Sequence, residues 1–415
     1  MTSDSSPTPS RGDDPGVRQN TAVRVPHGAA GRTVLDVAGH APLHPAARAA
    51  FAQALDEGWA DPRRLHAEGR RARSLLDGAR ASLAAGLGAR TEEVFLAGSH
   101  TAALHAAVRG IARGRRRVGR DVVVGAVERA ALLEAARFAA AEPAGAGAGP
   151  GRRVVVGVDG AGRVDAAAMG RALAAPGVAL VALQHANGEV GTLQPVSEVA
   201  EAARRAGVPL LLDAGASAGH VELGPQWDAL AADPGDWGGP SGLGVLAVRP
   251  RVRWAADWPE DDDAWFPGGV SVPAALAAAV ALEHAVAERA GADAHRRRLV
   301  DRIRRTVAAT VPDVEVVGDA AARLPHVVTF SCLYVDGEAL VGELDRLGFA
   351  VGSGSACTSS TLEPSHVLAA MGVLTHGNVR LALPVGATDD GVDRFLAALP
   401  GAVRRVRDLL GVTGL

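Results

Sequence analysis

From Val34 onward the chain alternates short apolar runs with longer stretches in which apolar residues recur every three to four positions. The runs at 93–97, 122–124, 154–156, 178–183 and 210–212 are partly β-branched and bounded by Gly, Asp or Pro, and they read as strands. Between them, 130–140 and 197–205 carry Ala, Leu and Arg at helical spacing. Such alternation predicts an α/β fold with a mostly parallel sheet and helices on both faces. A long helical pattern follows over 273–311, then strands at 314–317 and 326–332. A helix, a Gly/Ser loop at 352–360, a strand at 379–383 and a final amphipathic helix complete the chain. The expected organisation is a large sheet domain over 31–270 and a smaller α+β C-terminal domain over 271–415, which begins with the long linking helix. Residues 1–30 are rich in Ser, Pro, Thr, Gly and Asp and read as a disordered tail, and 143–151 reads as a flexible loop.

The 415 residues allow two or three domains at roughly 150 residues each. Hydrophobic residues make up 48%, enough for a sizeable core. A formal net charge of -3 lacks the broad basic field of a nucleic-acid binder, so no nucleic-acid partner is expected. Two cysteines cannot build a disulfide framework, and no apolar run reads as a signal or a membrane span. A cytoplasmic location and no membrane partner are therefore expected. Another count changes the picture more. All 43 basic residues are arginine, and the chain has no lysine. Chemistry that needs a lysine amine, Schiff-base formation above all, is excluded. No metal site is expected: His40 and His44 have four-residue spacing, but Pro42 between them opposes a helical ligand pair. The acidic run at 260–263 and the Arg-rich run at 113–120 read as solvated surface.

One candidate nucleophile lies in Gly352-Ser-Gly-Ser-Ala-Cys357, a loop of small residues in which a thiol can be closely approached. Only a few per cent of an ordinary thiol is thiolate at neutral pH, so its setting decides its reactivity. Read locally, Cys357 could equally be a cysteine in a flexible turn. Cys332, inside an apolar strand, reads as a small core residue.

The Cys357 loop resembles the active-cysteine loop of the cysteine desulfurases, pyridoxal-phosphate enzymes of the class V aminotransferase group. Landmarks follow in the family's order over roughly 34–409: Leu35-Asp36 and Pro42, Asp61-Pro62 to His66 and Gly69, and the turn within 95–103. Next come His185-Ala-Asn187-Gly-Glu189-Val-Gly191, Leu212-Asp213-Ala214, the glycine turn at 239–244 and Asn378-Val-Arg380. The resemblance implies a pyridoxal-phosphate fold type I architecture, class V aminotransferase-like, with a large cofactor domain and a small domain, usually as a homodimer with shared active sites. It implies that Asp213 pairs with the cofactor ring nitrogen and that the turn of Ser99, His100 and Thr101 holds the phosphate. It further implies that Arg380 and Asn187 hold a substrate carboxylate and that Cys357 carries sulfur as a persulfide.

The resemblance also marks what is missing. The family's Ser-x-His-Lys run corresponds to 233–240, and its lysine falls at or beside Trp237. The phosphate-binding serine and the neighbouring histidine map near Pro234 and Asp236. The ring-stacking histidine is replaced by Glu128, and the glutamine that bonds the phenolic oxygen by Ala216. The threonine that reaches across the dimer falls at Val270. Cofactor groups are lost while the thiol loop is kept, so the expectation is a pseudoenzyme without lysine-dependent desulfurase activity. It would act as partner or regulator of an active desulfurase, in a homodimer or heterodimer, or as a sulfur carrier through Cys357 toward an acceptor protein. Two alternatives stay open. The chain could be an enzyme that binds pyridoxal or pyridoxamine phosphate non-covalently through Asp213 and the Ser99–Thr101 turn, with His100 or Glu128 moving protons. It could instead be a binding module for an amino acid or anion, using Arg380 and Asn187 with no cofactor. Trp237 is expected to fill the vacated cofactor cavity.

Overall fold

A computed structural model describes residues 31–142, 150–259, 263, 265–353 and 364–412. The expected tail over 1–30, most of the 143–151 loop, and Cys357 with its flanking residues lie outside the described residues. The first part of the chain runs β1 (Thr33–Val34), α1 (Pro45–Glu57), α2 (Ala67–Leu87), β2 (Val94–Ala97), α3 (His100–Gly114) and β3 (Asp121–Gly125). It continues through α4 (Ala130–Ala141), β4 (Arg153–Val156), α5 (Ala166–Leu173), β5 (Val178–Gln184), α6 (Val196–Ala206) and β6 (Leu210–Asp213). Strands β7 (Ala229–Ala232) and β8 (Gly244–Val248) follow.

Seven strands form one sheet in the order β2-β8-β7-β6-β5-β3-β4. The pairs from β4 to β7 are all parallel, whereas β8 is antiparallel to both neighbours. Side chains alternate across the sheet. Val123, Val181, Leu183, Leu210 and Leu212 join the core under α2, while Val122, Val124, Leu180, Ala182 and Leu211 join the core under α3 and α4. Because both faces are covered, the central strands read as continuous apolar runs rather than as alternating ones.

The 39-residue α7 (Val272–Thr310) then leaves the sheet. Ser271 caps it by accepting from the Ala274 N–H at 3.3 Å, and Pro273 sits in its first turn, where no N–H is needed. Its first half packs in the sheet core through Ala275, Ala278 and Leu282. Its second half packs in a separate core through Leu299, Val300, Ile303 and Val307. That second core is built from β9 (Val314–Val317), β10 (Val327–Cys332), α8 (Gly337–Arg346), β11 (Phe349–Ala350), β12 (Asn378–Ala382) and α10 (Asp389–Leu409), while α9 (His366–Met371) packs in a small separate cluster with Val127 and Val190. The order β12-β10-β9 is antiparallel, and β11 pairs in parallel with β1, which brings Leu35 into the same core. The sequence pattern anticipated neither β7 nor β8. The four residues of β7 are Ala-Leu-Ala-Ala, which have little intrinsic strand preference, and only burial on both faces makes them a strand. Among the described residues no helix is long and apolar enough to cross a membrane.

Candidate functional site

The carboxyl ends of β3, β5 and β6 open onto one crevice, with Gln184 and Asp213 as register partners at its floor. Ligands of open α/β sheets bind outside this end of the strands. Asp213 is 3% exposed, and both of its oxygens are engaged. Oδ1 accepts from the Gly215 N–H at 2.8 Å and lies 3.0 Å from Nε2 of His100. Oδ2 lies 3.5 Å from Nε of Arg129. The His100 contact is electrostatic, since the ring nitrogen is not aligned for a hydrogen bond. Burial pushes the Asp213 pKa up, but His100, Arg129 and the Gly215 N–H outweigh it and hold the carboxyl well below the usual carboxylate range. Gly215 lets His100 approach, because a Cβ there would come within 2.4 Å of the ring and force it to shift.

Arg129 was missed by sequence reasoning, which stopped at its neighbour Glu128. It stands in the electrostatic reach of Asp213, Asp233 and Asp236 together. The available signal was its place in Val127-Glu128-Arg129, directly beside Glu128. Glu128 itself is fully buried. Its Oε2 accepts from the Gln184 N–H at 2.7 Å, while Oε1 faces Gly125 with no hydrogen-bond partner among the described residues. Burial first, and the nearby Asp213 second, push its pKa well above the ordinary value.

Asn187 is committed to the turn that carries it. Its Oδ1 accepts from the Glu189 and Val190 N–H groups, each at 2.9 Å, and Nδ2 donates to the Val127 carbonyl at 3.1 Å. His185 Nδ1 has no hydrogen-bond partner among the described residues, and burial pushes its pKa down to about 4, so it is neutral at physiological pH. Ser99 accepts from the Ala102 N–H at 3.0 Å and thereby caps α3, and the Thr101 side chain is exposed. Ala216 offers the crevice no polar group. Pro234 is buried, and its carbonyl accepts from the Gly239 N–H at 2.8 Å. Asp233, beside it, has its pKa raised by burial. Trp237 makes its contacts elsewhere: its indole N–H donates to the Ala278 carbonyl on α7 at 3.1 Å, and the ring belongs to the sheet core. It serves helix–sheet packing rather than the plugging role expected of it.

Arg380, on β12, gives Nη2 to Asp36 Oδ2 at 2.9 Å, and its Nε has no partner among the described residues. Gly352 makes room for this pair, since a Cβ there would fall 2.1 Å from Asp36 Oδ2. The segment that carries Cys357 begins and ends on this site. At one end Gly352 and Arg380 exchange backbone hydrogen bonds of 2.8 and 3.0 Å. At the other, His366 Nε2 donates to the Glu128 carbonyl at 2.9 Å. Cys332 is fully buried, and burial pushes its thiol up to about 12, as befits a core residue.

Comparisons with known proteins agree with this arrangement. The aminotransferase class-V family model matches residues 33–395. The chain is 30% identical over 385 residues to "Cysteine desulfurase IscS" of Dictyoglomus turgidum, covering 90% of this chain and 95% of that protein. It is 35% identical over 392 residues to a cysteine desulfurase of Cereibacter sphaeroides, covering 91% of this chain and 97% of that protein. Among solved structures, a NifS-like protein superposes with a TM-score of 0.80 at 22% identity, covering 92% of this chain and 99% of that one. DndA from Streptomyces lividans superposes with a TM-score of 0.70 at 26% identity, covering 85% and 99%. Sequence and superposition thus agree, and the chain belongs to the class-V aminotransferase family, in its cysteine desulfurase group.

Proposed function

We propose that this chain keeps the cysteine desulfurase fold without lysine-dependent desulfurase chemistry, and that it acts as partner or regulator of an active desulfurase or as a sulfur carrier through Cys357. The observation that carries this reading is the state of Asp213, whose two oxygens are already held by His100, Arg129 and Gly215, in a chain with no lysine.

The family is built on pyridoxal phosphate, which supplies an electron sink for amino-acid chemistry when bound. The residues present do not fit it as the family binds it. A ring nitrogen at Asp213 would have to displace Arg129 and His100. Glu128 offers a carboxyl where the family stacks an imidazole, and Ala216 has no donor for the phenolic oxygen. Asp233 adds a half-buried carboxyl within electrostatic reach of His100 and Arg129, a setting that would disfavour a phosphate dianion. No amine is available for the aldehyde, and arginine is no substitute, because its guanidinium stays protonated. No step is therefore routed through the cofactor. The chain's own residues keep two functions instead: Arg129 neutralises the acidic floor, and Arg380 stands under one end of the Cys357 segment.

This reading places the protein in the cytoplasm, in a homodimer or a heterodimer with an active desulfurase, near a sulfur-acceptor protein. The test is incubation of the pure chain with cysteine and pyridoxal phosphate, reading alanine and sulfide. No turnover is expected from the chain alone, and a change in turnover is expected when an active desulfurase from the same cell is added. Multiple turnovers by the chain alone would refute the proposal. The unpartnered Nε of Arg380 favours one second reading, an amino-acid or anion binding module. Calorimetry with an amino-acid panel distinguishes it, since saturable heat that vanishes in Arg380→Met would support that module.

A further inference from the structure

We propose that His220, Asp236 and His326 form a site for a divalent transition metal ion of the zinc class, where the sheet core meets the second core. This inference is independent of the proposed function, and its readout needs no activity. His220 lies in the loop after β6, Asp236 in the turn after β7, and His326 just before β10. More than 100 positions separate the first from the last, so no spacing motif announces them. All three are buried, at 7%, 6% and 3% exposure. Their ligand-capable atoms lie within 4.8 Å of one another, and His220 Nε2 is 3.1 Å from Asp236 Oδ2.

His326 Nδ1 lacks a hydrogen-bond partner among the described residues, and Asp236 Oδ2 meets only His220 Nε2, which also lies 3.2 Å from the Asp236 carbonyl oxygen. A buried polar atom left unpaired is costly, and a bound cation removes that cost. The other Asp236 oxygen accepts from the Gly39 N–H at 2.9 Å, which orients the carboxylate as an outer-shell partner orients a ligand. The adjoining cavity has a volume of about 60 Å³, room for an ion with one or two waters and far too little for a cofactor-sized ligand. Two imidazoles and one carboxylate with an open fourth position suit zinc.

Arg296 opposes a cation here. Its guanidinium lies 3.4 Å from His220 Nδ1 and donates to Asp293 at 2.7 Å. A metal on Nε2 places the His220 proton on Nδ1, so the guanidinium must withdraw toward Asp293 as the ion enters. Replacing it with a neutral side chain should therefore tighten metal binding. A second trio, His44, His284 and Glu288, lies at the rim of the same region. That trio is only half-buried at His44 and His284 and exposed at Glu288, which makes it the control.

The experiment titrates metal-free, untagged protein in a Cys357→Ser background with Co²⁺, reading visible d–d absorption, and then displaces cobalt with Zn²⁺. One equivalent with a four-coordinate spectrum is expected, together with a rise in melting temperature on adding zinc. His326→Asn and Asp236→Asn should each weaken binding by about tenfold or more. Arg296→Met should strengthen it, and His284→Asn should leave the spectrum unchanged. Absence of saturable binding below millimolar cobalt overturns the site. So does loss of the spectrum in His284→Asn with retention in His326→Asn. If His326→Asn fails to fold, the near-isosteric Asp236→Asn decides.

Discussion

Glu128 and His185 are both titratable groups shifted by burial, with opposite linkage to pH. Burial pushes the His185 pKa from 6.5 down to about 4, so the unfolded chain takes up this proton first. Its contribution to stability is complete above pH 6.5 and is lost as pH falls toward 4, by up to about 3 kcal/mol. Glu128 has its pKa raised by burial, so the folded state holds the proton longer than the unfolded one. Stability then falls as pH rises above the unfolded value near 4.5. Urea denaturation at several pH values should show Glu128→Gln more stable than the parent at pH 7, with a flatter slope above pH 5. His185→Gln should flatten the slope between pH 6.5 and 4 instead. An unchanged profile in both variants would show that neither group titrates as its burial requires. At this scale the sequence named residues to inspect, but not the partners they would find. Glu128 was singled out from the sequence. Arg129 was not, because its significance lies in three aspartates contributed by β6 and by the turn after β7.

Among the elements, α7 holds the molecule together, since its two halves belong to different cores. Leu282→Ala should cost about 2–5 kcal/mol by leaving a cavity beside the sheet, and Ile303→Ala a similar amount in the second core. If α7 transmits unfolding, both substitutions lower the midpoint of one shared thermal transition. Scanning calorimetry in which each variant shifts a different transition would show that the two cores melt separately. Most elements were legible because both periods are plain: 3.6 in α6 and α7, and continuous apolar runs in β3, β5 and β6. The antiparallel β8 and its neighbour β7 were not. Their residues belong to a loop-like, glycine-rich stretch whose strand character comes from pairing with β2 and β6.

For the whole molecule, the lack of lysine reaches beyond the crevice. After incubation with pyridoxal phosphate and borohydride reduction, mass spectrometry should find no pyridoxyl group on any internal residue. An adduct there would contradict the reading of the crevice. The sequence by itself determined the α/β class, the family landmarks and the missing amine, because periodicity and residue identity are local properties. Only the tertiary structure decided that Asp213 is already occupied by Arg129 and His100, that Trp237 packs on α7, and that His220, Asp236 and His326 meet. Those facts depend on which chain segments the sheet order and α7 bring within a few ångströms. Electrostatic and hydrogen-bond partners chosen across such separations leave no periodic trace in the chain.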